Sequence, residues 1–153
     1  MKKSRIIGVD YGLARIGIAY SDETKLIAMP METLKASKKS AETCRLFLLK
    51  LEAHQKEYGY QIQEIVLGLP LMMSGKRGLL ADEAEHFASL LREHTTIPVT
   101  LWDERLTSVQ ADRILREGQM TRKQRSQKCD AVAAVIILQN YLDFILQKQE
   151  QQL

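Results

Sequence analysis

Residues 5–22, RIIGVDYGLARIGIAYSD, set two β-type runs on either side of the short connection YGLAR. The runs at 6–10 and 16–21 are rich in β-branched residues, and Gly12 can supply the positive φ that a tight link needs, so the chain opens as a hairpin. That opening commits the fold to a sheet with an antiparallel part. It also poses a chemical question, because the first apolar run ends in a carboxylate, Asp10.

The remaining pattern alternates. LIAMPMETL, at 26–34, reads as a third strand. From 40 to about 58, Leu46, Phe47, Leu49, Leu51 and Ala53 recur at helical spacing, and Gly59 supplies a stop. EIVLGLP, from Glu64, is a short buried strand ended by Gly68 and Pro70. After a loop with Gly75 and Gly78, the spacing of Ala84, Phe87, Ala88 and Leu91 predicts a helix over 80–93. IPVTLW is the next strand, and DERLTS turns the chain. Thr107 with Gln110, and Thr121 with Gln124, have capping-box spacing, opening one helix to about 116 and a last one to about 147. Three antiparallel strands followed by alternating helices and strands imply the α/β class, a mixed sheet flanked by helices. One domain is expected over 1–147, with 148–153 a flexible tail.

Composition narrows the setting more than the function. The apolar fraction of 45% and charged fraction of 27% are those of an ordinary globular protein. The longest apolar run, AVAAVIIL at 131–138, falls far short of the roughly 20 residues of a membrane span, so no membrane partner and a cytoplasmic location are expected. Cys44 and Cys129 stand alone, which fits a reducing compartment and gives no zinc site. Net charge is only +3, but 105–128 carries Arg105, Arg113, Arg116, Arg122, Lys123, Arg125 and Lys128 against Asp112 and Glu117. Such a basic segment suits a phosphate-rich partner, although a solvated helical face has the same composition.

Acids gather where strands end. Asp10 closes the first strand, and Asp103 and Glu104 close the IPVTLW strand. Neighbours on a strand point to opposite faces, so one of these two faces Asp10, and spacing does not say which. Asp130 shares a helical stripe with Ala133, Ala134, Ile137 and Tyr141, so a third acid belongs to a packed face. A carboxylate at an apolar margin needs a partner, either a salt bridge or a cation. Hard ions such as Mg²⁺ take oxygen ligands, and carboxylate-held metals can activate water for phosphodiester cleavage. His54, His86 and His94 form no metal-ligating pattern, and neither a P-loop nor a G-x-S-x-G motif is present.

GVDYG…RIGIAYSD, VLGLPL…G…G, DERLTSVQA and DAVAAVIILQNYL, in this order, closely resemble the YqgF-type family of Holliday-junction resolvases and pre-16S ribosomal RNA nucleases. The resemblance implies a ribonuclease-H-like fold and catalytic, metal-binding acids at Asp10, Glu104 and Asp130, with Mg²⁺ or Mn²⁺. It further implies that Tyr11, Gly12 and Arg15 shape the nucleic-acid side of the site, with Arg105 nearby. Arg122, Lys123 and Arg125, from the basic segment, are expected to hold phosphates. Ala14 stands where the family usually has lysine, and Met72, Met73 and Ser74 depart from its usual loop.

The function expected is hydrolysis of RNA in maturation of the 16S rRNA 5′ end, with precursor rRNA and ribosomal particles as partners and a monomer or weak dimer as the acting species. Competing readings are a four-way DNA junction resolvase, a nucleotide-binding protein of the actin and sugar-kinase type, and a non-catalytic RNA-binding module.

Overall fold

The computed structural model describes residues 3–70, 78–103 and 122–151, with the backbone alone over 122–130. The elements are β1 (Lys3–Tyr11), β2 (Arg15–Ser21), β3 (Ala28–Lys35), α1 (Ser40–Tyr58), β4 (Tyr60–Leu69), α2 (Leu79–His94), β5 (Val99–Asp103) and α3 (Arg122–Gln151). The helix expected from Thr107, the cap at Thr121 and the loop with Met72, Met73 and Ser74 lie outside the described residues.

The five strands form one sheet in the order β3-β2-β1-β4-β5. β1, β2 and β3 are antiparallel neighbours, while β4 runs parallel to both β1 and β5. β1 therefore lies in the centre. Its run of Ile6, Ile7, Gly8 and Val9 is wholly buried because helices cover both faces. Ile7, Val9 and Tyr11 join Phe47, Phe87 and Leu91 on the α1 and α2 side, whereas Ile6 joins Ala19, Val66, Ala134, Ile137 and Leu138 on the α3 side. The mixed three-layer α/β arrangement matches the expected element order.

Local chemistry explains the ends. α1 spans Ser40–Tyr58, and Gly59 closes it in the left-handed region, φ 65°, donating its N–H to the Gln55 carbonyl at 2.8 Å. β4 begins at Tyr60, four residues before the expected Glu64, because YQIQ alternates buried and exposed and continues the strand with one wet face. α3 continues to Gln151, so residues 148–151, expected as a loose tail, are helical.

α3 meets the sheet closely at Gly8. A Cβ there would lie 2.6 Å from the Leu138 Cβ and 3.2 Å from the Ala134 carbonyl, so the absence of a side chain sets how near the helix lies. Over 131–151 this helix is long and apolar enough to cross a membrane, with a mean hydropathy of 1.2, which the short run AVAAVIIL did not suggest. Its Ala133, Ala134, Ile137, Leu138 and Leu142 are instead buried against the sheet.

Candidate active site at the carboxyl ends of the parallel strands

Asp10 is the last but one residue of β1 and is half-buried on the α3 face, two residues beyond Gly8. Two landmarks fix how α3 runs over it. The Tyr141 hydroxyl donates to Glu64 Oε2 at 2.6 Å, and Glu64 pairs with Ile6, whereas the Ala134 carbonyl lies against Gly8. Moving back along α3 therefore moves forward along β1, from Ile6 past Gly8 toward Asp10. Asp130 precedes Ala134 by one helical turn.

Both sheet neighbours of Asp10 lack side chains. Gly17 is its partner on β2, and Gly68 follows the Val9–Leu67 pair on β4. Trp102, opposite Gly68 on β5, packs against Tyr141 and Phe144 of α3 with ring centroids 5.4 and 5.2 Å apart. The carboxylate is thus flanked on the sheet by bare backbone, with an aromatic wall one strand further out. Sequence reasoning missed Gly17 and Gly68, whose signal was a shared register with Asp10 rather than any local motif.

The register also separates Asp103 from Asp10. Val99 and Leu101 face the α1 and α2 core, while Trp102 packs with α3, so Asp103 falls on the side opposite Asp10. Glu104 and Arg105 lie outside the described residues, and for Asp130, Arg122, Lys123 and Arg125 only the helical backbone is described.

The hairpin residues divide in their roles. Tyr11 is 8% exposed and on the face opposite Asp10, its ring 4.9 Å from that of Phe87. Burial, reinforced by the charge of Glu83, raises its pKa despite a hydrogen bond with Ser40. It packs the core at the site's edge. Gly12 does not use a positive φ; a Cβ there would lie 2.5 Å from the Arg15 carbonyl oxygen, so close approach is what requires glycine. Arg15 stands on Asp10's face, two residues from Gly17 on β2.

Among the described residues no group of three His, Cys, Asp or Glu side chains gathers as a metal site. His54 belongs to an aromatic cluster on the α1 side, with its Nδ1 2.7 Å from the Tyr60 hydroxyl. A cavity of about 400 Å³ lined by Tyr20, Met31, Lys50, His54 and Tyr58 opens there, on the other side of the sheet from Asp10.

The family model "RuvX: Holliday junction resolvase" matches residues 4–144. The chain belongs to the RuvX family. This is the family to which the four motifs point. A relative from Protochlamydia amoebophila, named "Putative pre-16S rRNA nuclease", is 56% identical over 142 residues, 93% of this chain and 95% of its own. Another of that name, from Desulfitobacterium hafniense (strain DSM 10664 / DCB-2), is 42% identical over 96% of this chain and 97% of its own. Among solved structures, T. thermophilus RuvC in complex with a Holliday junction substrate superposes with a TM-score of 0.55 at 15% identity, covering 93% of this chain and 96% of RuvC. The fowlpox virus Holliday junction resolvase does so at 0.51 and 11%, covering 91% and 98%. The RuvX fold is therefore the resolvase type of ribonuclease-H-like α/β sheet.

Proposed function

We propose that this RuvX member is a divalent-metal-dependent nuclease that hydrolyses RNA phosphodiester bonds, its substrate being the 5′ precursor of 16S rRNA. The observation that carries the reading is the placement of Asp10: at the carboxyl end of the central strand, between two glycines, on the face along which α3 leads back to residue 130. The nuclease activity also follows the names of relatives that match nearly the whole chain.

Asp10, Glu104 and Asp130 are the ligands we assign to Mg²⁺ or Mn²⁺. The fit rests on donor chemistry, since carboxylate oxygens suit hard cations, and on Gly17 as the register partner of Asp10, which adds no side chain at that position. Glu104 rather than Asp103 is assigned because Asp103 occupies the wrong face for a partner of Asp10. When bound, the cation supplies activation of water and neutralisation of charge at the phosphorus. Asp10 then holds its place because β1 is fixed from both sides by packed helices. Arg15, with Arg105, Arg122, Lys123 and Arg125, positions phosphates without reading sequence, so selectivity comes from RNA shape or a ribosomal partner. The reading places the protein in the cytoplasm, with precursor ribosomal particles.

A four-way DNA junction is the second reading, favoured by the family's description. Symmetric cutting of two strands requires a dimer. The deciding experiment titrates Mg²⁺ and Mn²⁺ against cleavage of precursor rRNA and of a junction, for wild type and Asp10→Asn, alongside solution mass. RNA cleavage that falls roughly 10²–10³-fold in Asp10→Asn is expected. Cleavage of the junction alone by a dimer selects the second reading, and full activity in Asp10→Asn defeats both.

A further inference from the structure

On the same end of the sheet as Asp10, β3 and the segment after it present Lys35, Lys38 and Lys39, all exposed. The ion pairs of Lys3, Arg5, Arg45, Lys50 and Lys56 do not include these three. Glu42, the nearest carboxylate in sequence, is bonded by Arg45 at 2.6 and 3.1 Å and also feels the charge of Lys39, one acid against three lysines. The cluster is thus a net positive surface.

Two features of its placement oppose stability. Lys35 is the register partner of Arg15, which sets like charges directly across an antiparallel pair. Lys38 and Lys39 stand at the amino end of α1, where the helix dipole is already positive, and Lys39 at the cap position gives no side-chain cap. An anion at this surface would meet the exposed lysines and the positive end of the α1 dipole together.

The segment is held in place for that task. The Ala36 N–H donates to the Ala14 carbonyl at 2.9 Å, joining it to the hairpin beside Asp10. The Ser37 N–H donates to the buried Thr43 Oγ1 at 2.9 Å, and the Lys39 N–H to Ser37 Oγ at 3.3 Å. Ser40 meets the phenol of Tyr11, which anchors the start of α1 to the end of β1 on the face opposite Asp10. Between the lysines and Asp10, the hairpin tip exposes Leu13 at 56%. An apolar side chain amid cations suits an unpaired nucleotide, with its base on Leu13 and its phosphates on lysine.

We propose that Lys35, Lys38 and Lys39 bind phosphates of the single-stranded part of the substrate next to the bond cleaved at Asp10. The strand then crosses the sheet end from β1 to β3, about 10 Å or two strand spacings. This assignment rests on the nuclease reading and deepens it, adding a path for the substrate along the β3 side of the sheet end.

The test measures binding of a short labelled single-stranded RNA to full-length Asp10→Asn protein across a salt series, with and without Lys35→Gln, Lys38→Gln and Lys39→Gln together. Three lost phosphate contacts should make the slope of log K against log salt shallower by about 2. In the wild-type background, the same three substitutions should raise KM for RNA cleavage roughly tenfold while leaving kcat within about twofold. Lys3→Gln with Lys25→Gln, at the other end of the sheet, should change neither. Unchanged slope and KM in a triple variant with wild-type circular dichroism and melting would overturn the assignment. Absence of cleavage by the wild type would defeat the nuclease reading instead, and the binding arm reads the lysines without cleavage.

Discussion

A methyl group added at Gly8 would press on the Leu138 Cβ and the Ala134 carbonyl, so Gly8→Ala should cost about 1–3 kcal/mol, measured by urea unfolding. Asp22 gives a prediction at the acid end of the pH scale. Burial alone would raise its pKa, but the Thr24 hydroxyl and the N–H groups of Ile27, Leu26 and Thr24 outweigh that and hold it at about 2, against an ordinary 3.8. Its contribution is therefore present above 3.8 and lost as pH falls toward about 2. Asp22→Asn should flatten that part of the stability profile, as followed by unfolding at successive pH values. At this scale the motifs named candidate residues but not which face each occupies. Tyr11 sits one residue from Asp10 in the same motif, yet pleating turns it into the core.

α3 is tied to two strands by a polar contact within an apolar face. Glu64 Oε2 accepts hydrogen bonds from Tyr141 at 2.6 Å and from Thr100 Oγ1 at 2.5 Å, joining α3, β4 and β5. Burial, then the bond to Glu64 and its charge, push Tyr141 up to about 12. Because the folded pKa exceeds the ordinary 10, this contribution is intact below 10 and disappears as pH rises toward 12. Unfolding followed by the emission of Trp102, which packs on Tyr141, should show that alkaline loss, reduced in Tyr141→Phe; Tyr60, also near 12 through burial, leaves the remainder. Element types were legible because Leu46, Phe47 and Leu51 repeat at helical spacing and Gly59 stops the helix. The early start of β4 was not, since YQIQ is too polar to stand out until a neighbouring strand supplies its hydrogen bonds.

For the whole molecule, the two apolar clusters hold the sheet without help from the site. Stripping divalent cations with a chelator should therefore abolish RNA cleavage, leave far-ultraviolet circular dichroism unchanged, and be reversed by Mg²⁺ or Mn²⁺. By itself the sequence determined the α/β class, the order of the described elements and the acids to examine, because periodicity, stop residues and spaced motifs are local properties of a chain. Only the tertiary structure decided that Gly17 and Gly68 flank Asp10, that Asp103 lies on the opposite face, and that Lys35 opposes Arg15. Those facts depend on strand register, which is fixed by pairing between segments far apart in the chain, and a shift of one residue would turn every side chain to the other face.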